Sequence, residues 1–235
     1  MLALSWDRPL VPVNHCVAHV EIARVLSGLD DPMLLYASGG NTQVIAYARG
    51  RYRVLGETLD IGIGNFLDKL WIGLGGTFPG GPPLEAEAKR GSELHPLPYS
   101  VHGMDVAFSG LLTAALALAE QGIARPDLAY SVEVTAYSML TEISERALAH
   151  LRGSAVVLGG GVACNERLRG MVREMVESRG GTTFAPPRAL CVDNGAMIAW
   201  TGRLALRAGR SVPIERSVIE PRQRTDRVAT PWRAG

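Results

Sequence analysis

Two histidines, His15 and His19, stand four residues apart in a stretch that can form a helix. At that spacing both imidazoles leave the same helical face and can share one metal ion. Two ligands rarely suffice, so an acidic third has to arrive from elsewhere in the chain. Asp193, directly before Asn194-Gly195 at an expected helix start, is the candidate, and it would complete a two-histidine, one-carboxylate set with positions open to substrate. Each residue also has a plainer reading. The histidines can be core or surface residues, and Asp193 can be an ordinary N-cap. His95, His102 and His150 have no partner at ligand spacing and read as structural or exposed.

Two glycine-rich turns could approach a ligand with their backbone. Ser38-Gly39-Gly40-Asn41-Thr42 lies between two expected strands, where its N–H groups can form an anion nest and its hydroxyls add donors; a simple hairpin turn is the alternative. Gly159-Gly160-Gly161-Val162-Ala163-Cys164-Asn165 lies between a strand and a helix start, which puts peptide N–H groups and a helix dipole near a ligand. No Lys-Ser/Thr follows it and it lacks G-x-G-x-x-G, so it is neither a Walker loop nor a dinucleotide fingerprint. A nucleoside contact suits it better than a triphosphate cradle. The glutamate of H-E-x-x-H is missing, which argues against a zinc protease.

The elements that must position these groups follow from the pattern of apolar residues. Residues 1–13 read as a short strand or linker broken by Pro9 and Pro12, and residues 15–26 as a helix capped by Asn14 and ended by Gly28. Strands are expected at 33–37, 42–48 and 52–55, joined by tight turns into an antiparallel meander. Helices follow at 63–74, 84–90, 111–121 and 126–151, with a Gly/Pro-rich loop at 75–83 and a loop or hairpin at 91–104. The chain then alternates: strand 155–158, helix 165–178, strand 182–184, helix 193–208. This order is the plan of one RNase-H-like lobe of the actin and sugar-kinase superfamily, an α/β fold.

Composition fits that class. The 235 residues are 47% hydrophobic and 20% charged, with a formal net charge of +1, enough apolar matter for a substantial core and no overall basic surface. Arg203, Arg207, Arg210, Arg216, Arg222, Arg224 and Arg227 form either a local basic patch or a solvated helix face and tail. Three scattered cysteines, Cys16, Cys164 and Cys191, make neither a disulfide framework nor a C-x-x-C zinc site. No run is long enough for a membrane span, and a reducing cytoplasm is the expected compartment.

Six ordered motifs carry a family resemblance: Val13-Asn14-His15-Cys16-Val17-Ala18-His19, Tyr36-Ala37-Ser38-Gly39-Gly40-Asn41-Thr42, Asn65-Phe66-Leu67-Asp68-Lys69, Pro79-Gly80-Gly81-Pro82, Phe108-Ser109-Gly110-Leu111, and Gly160-Gly161-Val162-Ala163-Cys164-Asn165-Glu166-Arg167-Leu168-Arg169. Over residues 10–232 the sequence resembles the archaeal and eukaryotic branch of the tRNA threonylcarbamoyladenosine synthases, the catalytic subunit of the KEOPS complex, a family once misnamed a glycoprotease. The resemblance implies transfer of a threonylcarbamoyl group from threonylcarbamoyl-adenylate to the adenosine beside the anticodon in tRNAs reading ANN codons. It implies a divalent metal, iron ahead of zinc or magnesium, held by His15, His19 and Asp193, with Tyr36 as a further ligand or nucleotide contact. It also implies an adenine nucleotide, ATP or threonylcarbamoyl-AMP. Tyr36, Ala37, Ser38, Gly39 and Gly40 would line its phosphate side. Asp68, Gly81 and Glu85 would hold ribose and base, and Asn165 would close over it. Implied partners are tRNA, a small kinase-like ATPase and a dimerising subunit.

Family members carry a whole N-terminal lobe ahead of the two-histidine motif. Residues 1–30 are therefore expected to be the remnant of that lobe with the metal helix, and residues 31–235 the C-terminal RNase-H-like lobe with a helical insertion. A related carbamoyltransferase, or a lobe that binds nucleotide and partner without turnover, are the alternatives. The run Asn165-Glu166-Arg167-Leu168-Arg169 favours the threonylcarbamoyl branch over other carbamoyltransferases.

Overall fold

The computed structural model describes residues 2–221 and 223–233, so Arg222 of the arginine group lies outside the described residues. In chain order the elements are α1 (Leu2–Ser5), α2 (His15–Ser27), β1 (Met33–Ala37), β2 (Thr42–Ala48), β3 (Arg51–Glu57), α3 (Ile63–Gly73), α4 (Gly81–Ala88), β4 (Val101–His102), β5 (Asp105–Val106), α5 (Ser109–Glu120), α6 (Arg125–Leu151), β6 (Ala155–Gly159), α7 (Glu166–Ser178), β7 (Thr182–Phe184), α8 (Arg188–Cys191) and α9 (Gly195–Arg207).

Five strands form one sheet in the order β3-β2-β1-β6-β7. β1 pairs antiparallel with β2, Leu35 opposite Val44, and parallel with β6, Leu34 opposite Val157. β6 pairs parallel with β7. The antiparallel meander and the two parallel strands thus make the mixed sheet expected of an RNase-H-like lobe.

Strand alternation divides the core into two layers. Met33, Leu35 and Ala37 of β1 face the helical side, where they meet Val132, Ala136, Met139, Leu140 and Ile143 of α6. Leu34 and Tyr36 face the other way, against Val17, Val20 and Ala23 of α2. β1 has apolar matter on both faces, and this explains its unbroken run of apolar residues.

Most elements lie where the sequence places them, with three informative differences. Leu2–Ser5 is a short helix rather than a strand or linker; it ends at Ser5, before the stretch where Pro9 stops a helix by clashing with the carbonyl four residues back and disfavouring helix at the residue before it. Leu10 makes a single antiparallel bridge with Val212. α4 begins at Gly81, earlier than expected, because Pro82 and Pro83 sit in its first turn, where no N–H is needed. α9 is capped by Asn194, whose Oδ1 accepts from the Met197 N–H at 3.0 Å, so the helix starts after Asp193 rather than at it. Among the described residues no helix is long and apolar enough to cross a membrane.

Candidate functional site

α2 opens with the Asn14 side chain accepting from the Val17 N–H at 3.1 Å, and closes on Gly28 at φ +68°. His15 is its first residue, and His19 lies one turn on. The two rings sit edge to face, with centroids 4.9 Å apart. His19 is 1% exposed, whereas the His15 side chain is 43% exposed.

Asp193 reaches them from the link between α8 and α9. With Asn194 serving as the cap and also donating to the Val192 carbonyl at 2.8 Å, the Asp193 carboxylate is left free of the helix. Its Oδ1 lies 3.1 Å from Nε2 of both His15 and His19. The three ligand atoms all lie within 4.8 Å of one another. The donor set, two imidazole nitrogens and one carboxylate, fits a divalent transition metal, and the 71% exposure of the Asp193 side chain leaves the centre open to substrate. Burial pulls the His19 imidazole below its usual value, against the Asp193 carboxylate that pulls it up. The neutral ring this favours is the form a metal takes.

Tyr36 completes the floor. Its ring lies 4.6 Å from that of His19, centroid to centroid, and burial pushes its phenol well above the usual range. Immediately after it, Ser38 to Asn41 form a tight turn. The Ser38 N–H donates to the Asn41 carbonyl at 2.9 Å, and the Ser38 hydroxyl accepts from the Asn41 N–H at 3.3 Å. The Ser38 and Gly39 carbonyls accept from Gly64 and Asn65 at the start of α3, at 3.0 and 2.9 Å. Among the described residues, the Gly39 and Gly40 N–H groups donate to no backbone carbonyl, so an anion can take them. The approach of α3 demands glycine at 64, because a Cβ there would sit 2.6 Å from the Gly39 Cα.

The Gly159–Gly161 turn joins the two parts. The Gly160 N–H donates to the Cys191 carbonyl at 2.9 Å, two residues before Asp193. At φ +94°, with a would-be Cβ 2.3 Å from the Ala37 carbonyl oxygen, position 160 admits only glycine. His15, His19 and Asp193 and both glycine turns therefore gather at the C-terminal ends of β1 and β6, where open α/β sheets bind ligands.

The remaining sequence candidates lie on the helical side. Asp68 accepts from the Gly80 N–H at 2.6 Å and fixes the approach to α4, which begins at Gly81. Glu85 accepts from the Glu166 N–H at 3.1 Å, joining α4 to the start of α7. Asn165, 6% exposed, caps α7 by accepting from the Leu168 N–H at 3.1 Å and donates to Glu133 at 2.7 Å. So Glu85 and Asn165 are brought together, but through engaged side chains. Beside them is a recess of about 300 Å³ lined by Glu85, Lys89, Glu133, Glu166 and Arg167.

Sequence reasoning missed Glu133 and Arg167. Glu133 Oε2 lies 3.0 Å from Arg167 Nε, and the guanidinium in turn covers the Tyr130 ring at 4.8 Å. Burial pushes the Glu133 carboxyl up, against Arg167 and Asn165, which pull it down. The signal was present: an acid on the apolar face of a helix, between Ala129 and Tyr137, has to have partners. Of the C-terminal arginines, Arg203 covers the Trp200 ring and Arg224 pairs with Glu57 and Asp226. His102 lies 3.1 Å from the Ser100 hydroxyl, away from the triad.

Known proteins share both sequence and fold. The chain is 52% identical over 232 residues to the tRNA N6-adenosine threonylcarbamoyltransferase of Archaeoglobus fulgidus, a match covering 99% of this chain and 72% of that protein. It is 53% identical over 231 residues to a probable bifunctional tRNA threonylcarbamoyladenosine biosynthesis protein of Methanothermobacter thermautotrophicus, covering 98% of this chain and 43% of that one. The chain thus spans less than half of the bifunctional relative and about seven-tenths of the shorter one. The crystal structure of T. kodakarensis HypF superposes with a TM-score of 0.73 at 18% identity, over 88% of this chain and 38% of that one, a likeness of fold. The family model for TsaD, tRNA N6-adenosine threonylcarbamoyltransferase, matches residues 1–200, and the chain belongs to this family.

Proposed function

We propose that this chain carries the metal and nucleotide site of a tRNA N6-adenosine threonylcarbamoyltransferase, which moves threonylcarbamoyl from threonylcarbamoyl-AMP to the adenosine next to the anticodon. The observation that carries the reading is the convergence of His15, His19 and Asp193 beside the Ser38–Asn41 turn, in a chain of this family.

The donor is a mixed carbamic–phosphoric anhydride, so its leaving group is already good. His15, His19 and Asp193 would hold a divalent cation, iron by family expectation, which would supply Lewis acidity to the transfer. The Gly39 and Gly40 N–H groups receive phosphate oxygens as charge develops on the departing AMP. Tyr36 bridges the two subsites as a buried, neutral phenol. Asp68 and the start of α4 at Gly81, together with Glu85 and Asn165, shape the ribose and base side. The exocyclic amine of adenine is a weak nucleophile, so fixing its approach contributes more than a strong base. Residues 1–30 belong with the N-terminal lobe in this reading, and 31–235 are the C-terminal lobe. The partners are tRNA, a kinase-like ATPase and a dimerising subunit of a KEOPS-type assembly, in the cytoplasm.

The test is formation of threonylcarbamoyladenosine in a reconstituted system containing this chain, its partners, tRNA and threonylcarbamoyl-AMP. Asp193→Ala is expected to abolish product. Undiminished product from that variant would remove the assigned role of Asp193, and transfer of unsubstituted carbamoyl from carbamoyl phosphate would replace the reading altogether.

A further inference from the structure

The segment 223–233 crosses the sheet face that carries α2, and it touches α2 on both sides of the histidine pair. Directly before His15, the Asn14 Nδ2 donates to the Gln223 carbonyl at 3.3 Å and to the Gln223 side-chain oxygen at 3.2 Å. This fixes the Asn14 amide with its oxygen toward the Val17 N–H that it caps. Between the histidines, Cys16 packs against the same apolar cluster as Val228 and Trp232, and Thr225 of the segment is only 3% exposed. Two residues after His19, the wholly buried Glu21 accepts from Trp232 Nε1 at 2.7 Å, from the Tyr52 hydroxyl at 2.8 Å and from Arg24 Nε at 3.0 Å.

Apolar contacts follow the same line. Val228 and Trp232 pack on the cluster of Val17, Val20 and Tyr36. Arg224 pairs with Glu57 on β3, and Arg233 lies over the Tyr47 ring at 4.2 Å and pairs with Asp31, so the segment is anchored to the sheet as well as to the helix. A thirteen-residue helix is marginal on its own and takes its position from such packing.

We infer that residues 223–233 act as a strap that positions the metal-binding helix, with Asn14–Gln223 and Glu21–Trp232 as latches bracketing His15 and His19. Metal centres depend on groups that orient their ligands, and here the ligands are oriented through the helix that bears them. Gln223 and Trp232 are therefore positioning residues for the metal, outside the ligand set. The inference rests on the metal reading of His15, His19 and Asp193.

The test is titration of the full chain with Co²⁺, read by its visible absorption, with adenine nucleotide binding measured in parallel. Trp232→Phe keeps the ring in the core and removes the donor to Glu21. It is expected to weaken Co²⁺ about tenfold, the size of one lost hydrogen bond to a charged acceptor, with nucleotide affinity unchanged. Gln223→Ala, at an exposed position that does not threaten the core, is expected to weaken Co²⁺ about threefold, the size of one neutral hydrogen bond. Co²⁺ affinity equal to wild type in either folded variant overturns the strap. Wild-type chain that takes up no Co²⁺ overturns the metal reading itself, and the strap's role with it.

Discussion

His19 Nε2 and Asp193 Oδ1 lie 3.1 Å apart although 174 positions separate the two residues in the chain. The contact joins the first long helix to the link ahead of the last, so the centre exists only when the whole lobe is folded. Removal of the carboxylate should therefore weaken metal without unfolding the protein. Asp193→Ala is expected to lower Co²⁺ or Zn²⁺ affinity at least about a hundredfold, since losses of outer partners alone reach about 10–100-fold. Titration calorimetry on the folded variant checks this.

Asn194 frees Asp193 by taking the cap itself. Asn194→Ala should cost about 1 kcal/mol of stability, the usual worth of such a cap. It should also weaken metal, because the Asp193 carboxylate can then swing to the open N–H groups of α9. Urea unfolding and metal titration on the same sample separate the two effects.

Gly64→Ala drives a methyl group to 2.6 Å from the Gly39 Cα and must shift the Ser38–Asn41 turn. The expected result is a loss of about 1–3 kcal/mol, as for other overpacked sites, together with weaker adenine nucleotide binding. Nucleotide affinity equal to wild type would detach that turn from the nucleotide.

Asp60 gives a pH signature. Burial pushes its carboxyl up, but N–H groups of Phe108, Ser109 and Ile61 outweigh this and hold it at about 2, below the ordinary 3.8. A depressed folded value means that its stabilisation is fully present above the unfolded value and is lost as pH falls through about 2. Asp60→Asn should thus be clearly less stable than wild type at neutral pH, with the difference shrinking in strong acid. Urea midpoints at neutral and acid pH measure it.

The sequence makes the sheet legible because its strands are short, apolar and separated by glycine turns. It makes the histidine pair legible because helical spacing alone puts His15 and His19 on one face. Whether Asp193 joins them depends on which neighbour caps α9, and two adjacent residues that can both cap a helix do not reveal that. Asn165 presents the same ambiguity, and its side chain is the cap of α7. Glu21 and Glu133 could have been singled out as acids on apolar helix faces, but their partners Trp232 and Arg167 come from distant elements. Local spacing carries no information about those meetings.

Gly160 touches Ala37 beside the phosphate turn and, through the Cys191 carbonyl, the segment that presents Asp193. One residue therefore forms a wall common to both proposed subsites. Any effect of nucleotide on metal affinity that passes through this wall has to be mirrored, factor for factor, by the effect of metal on nucleotide affinity.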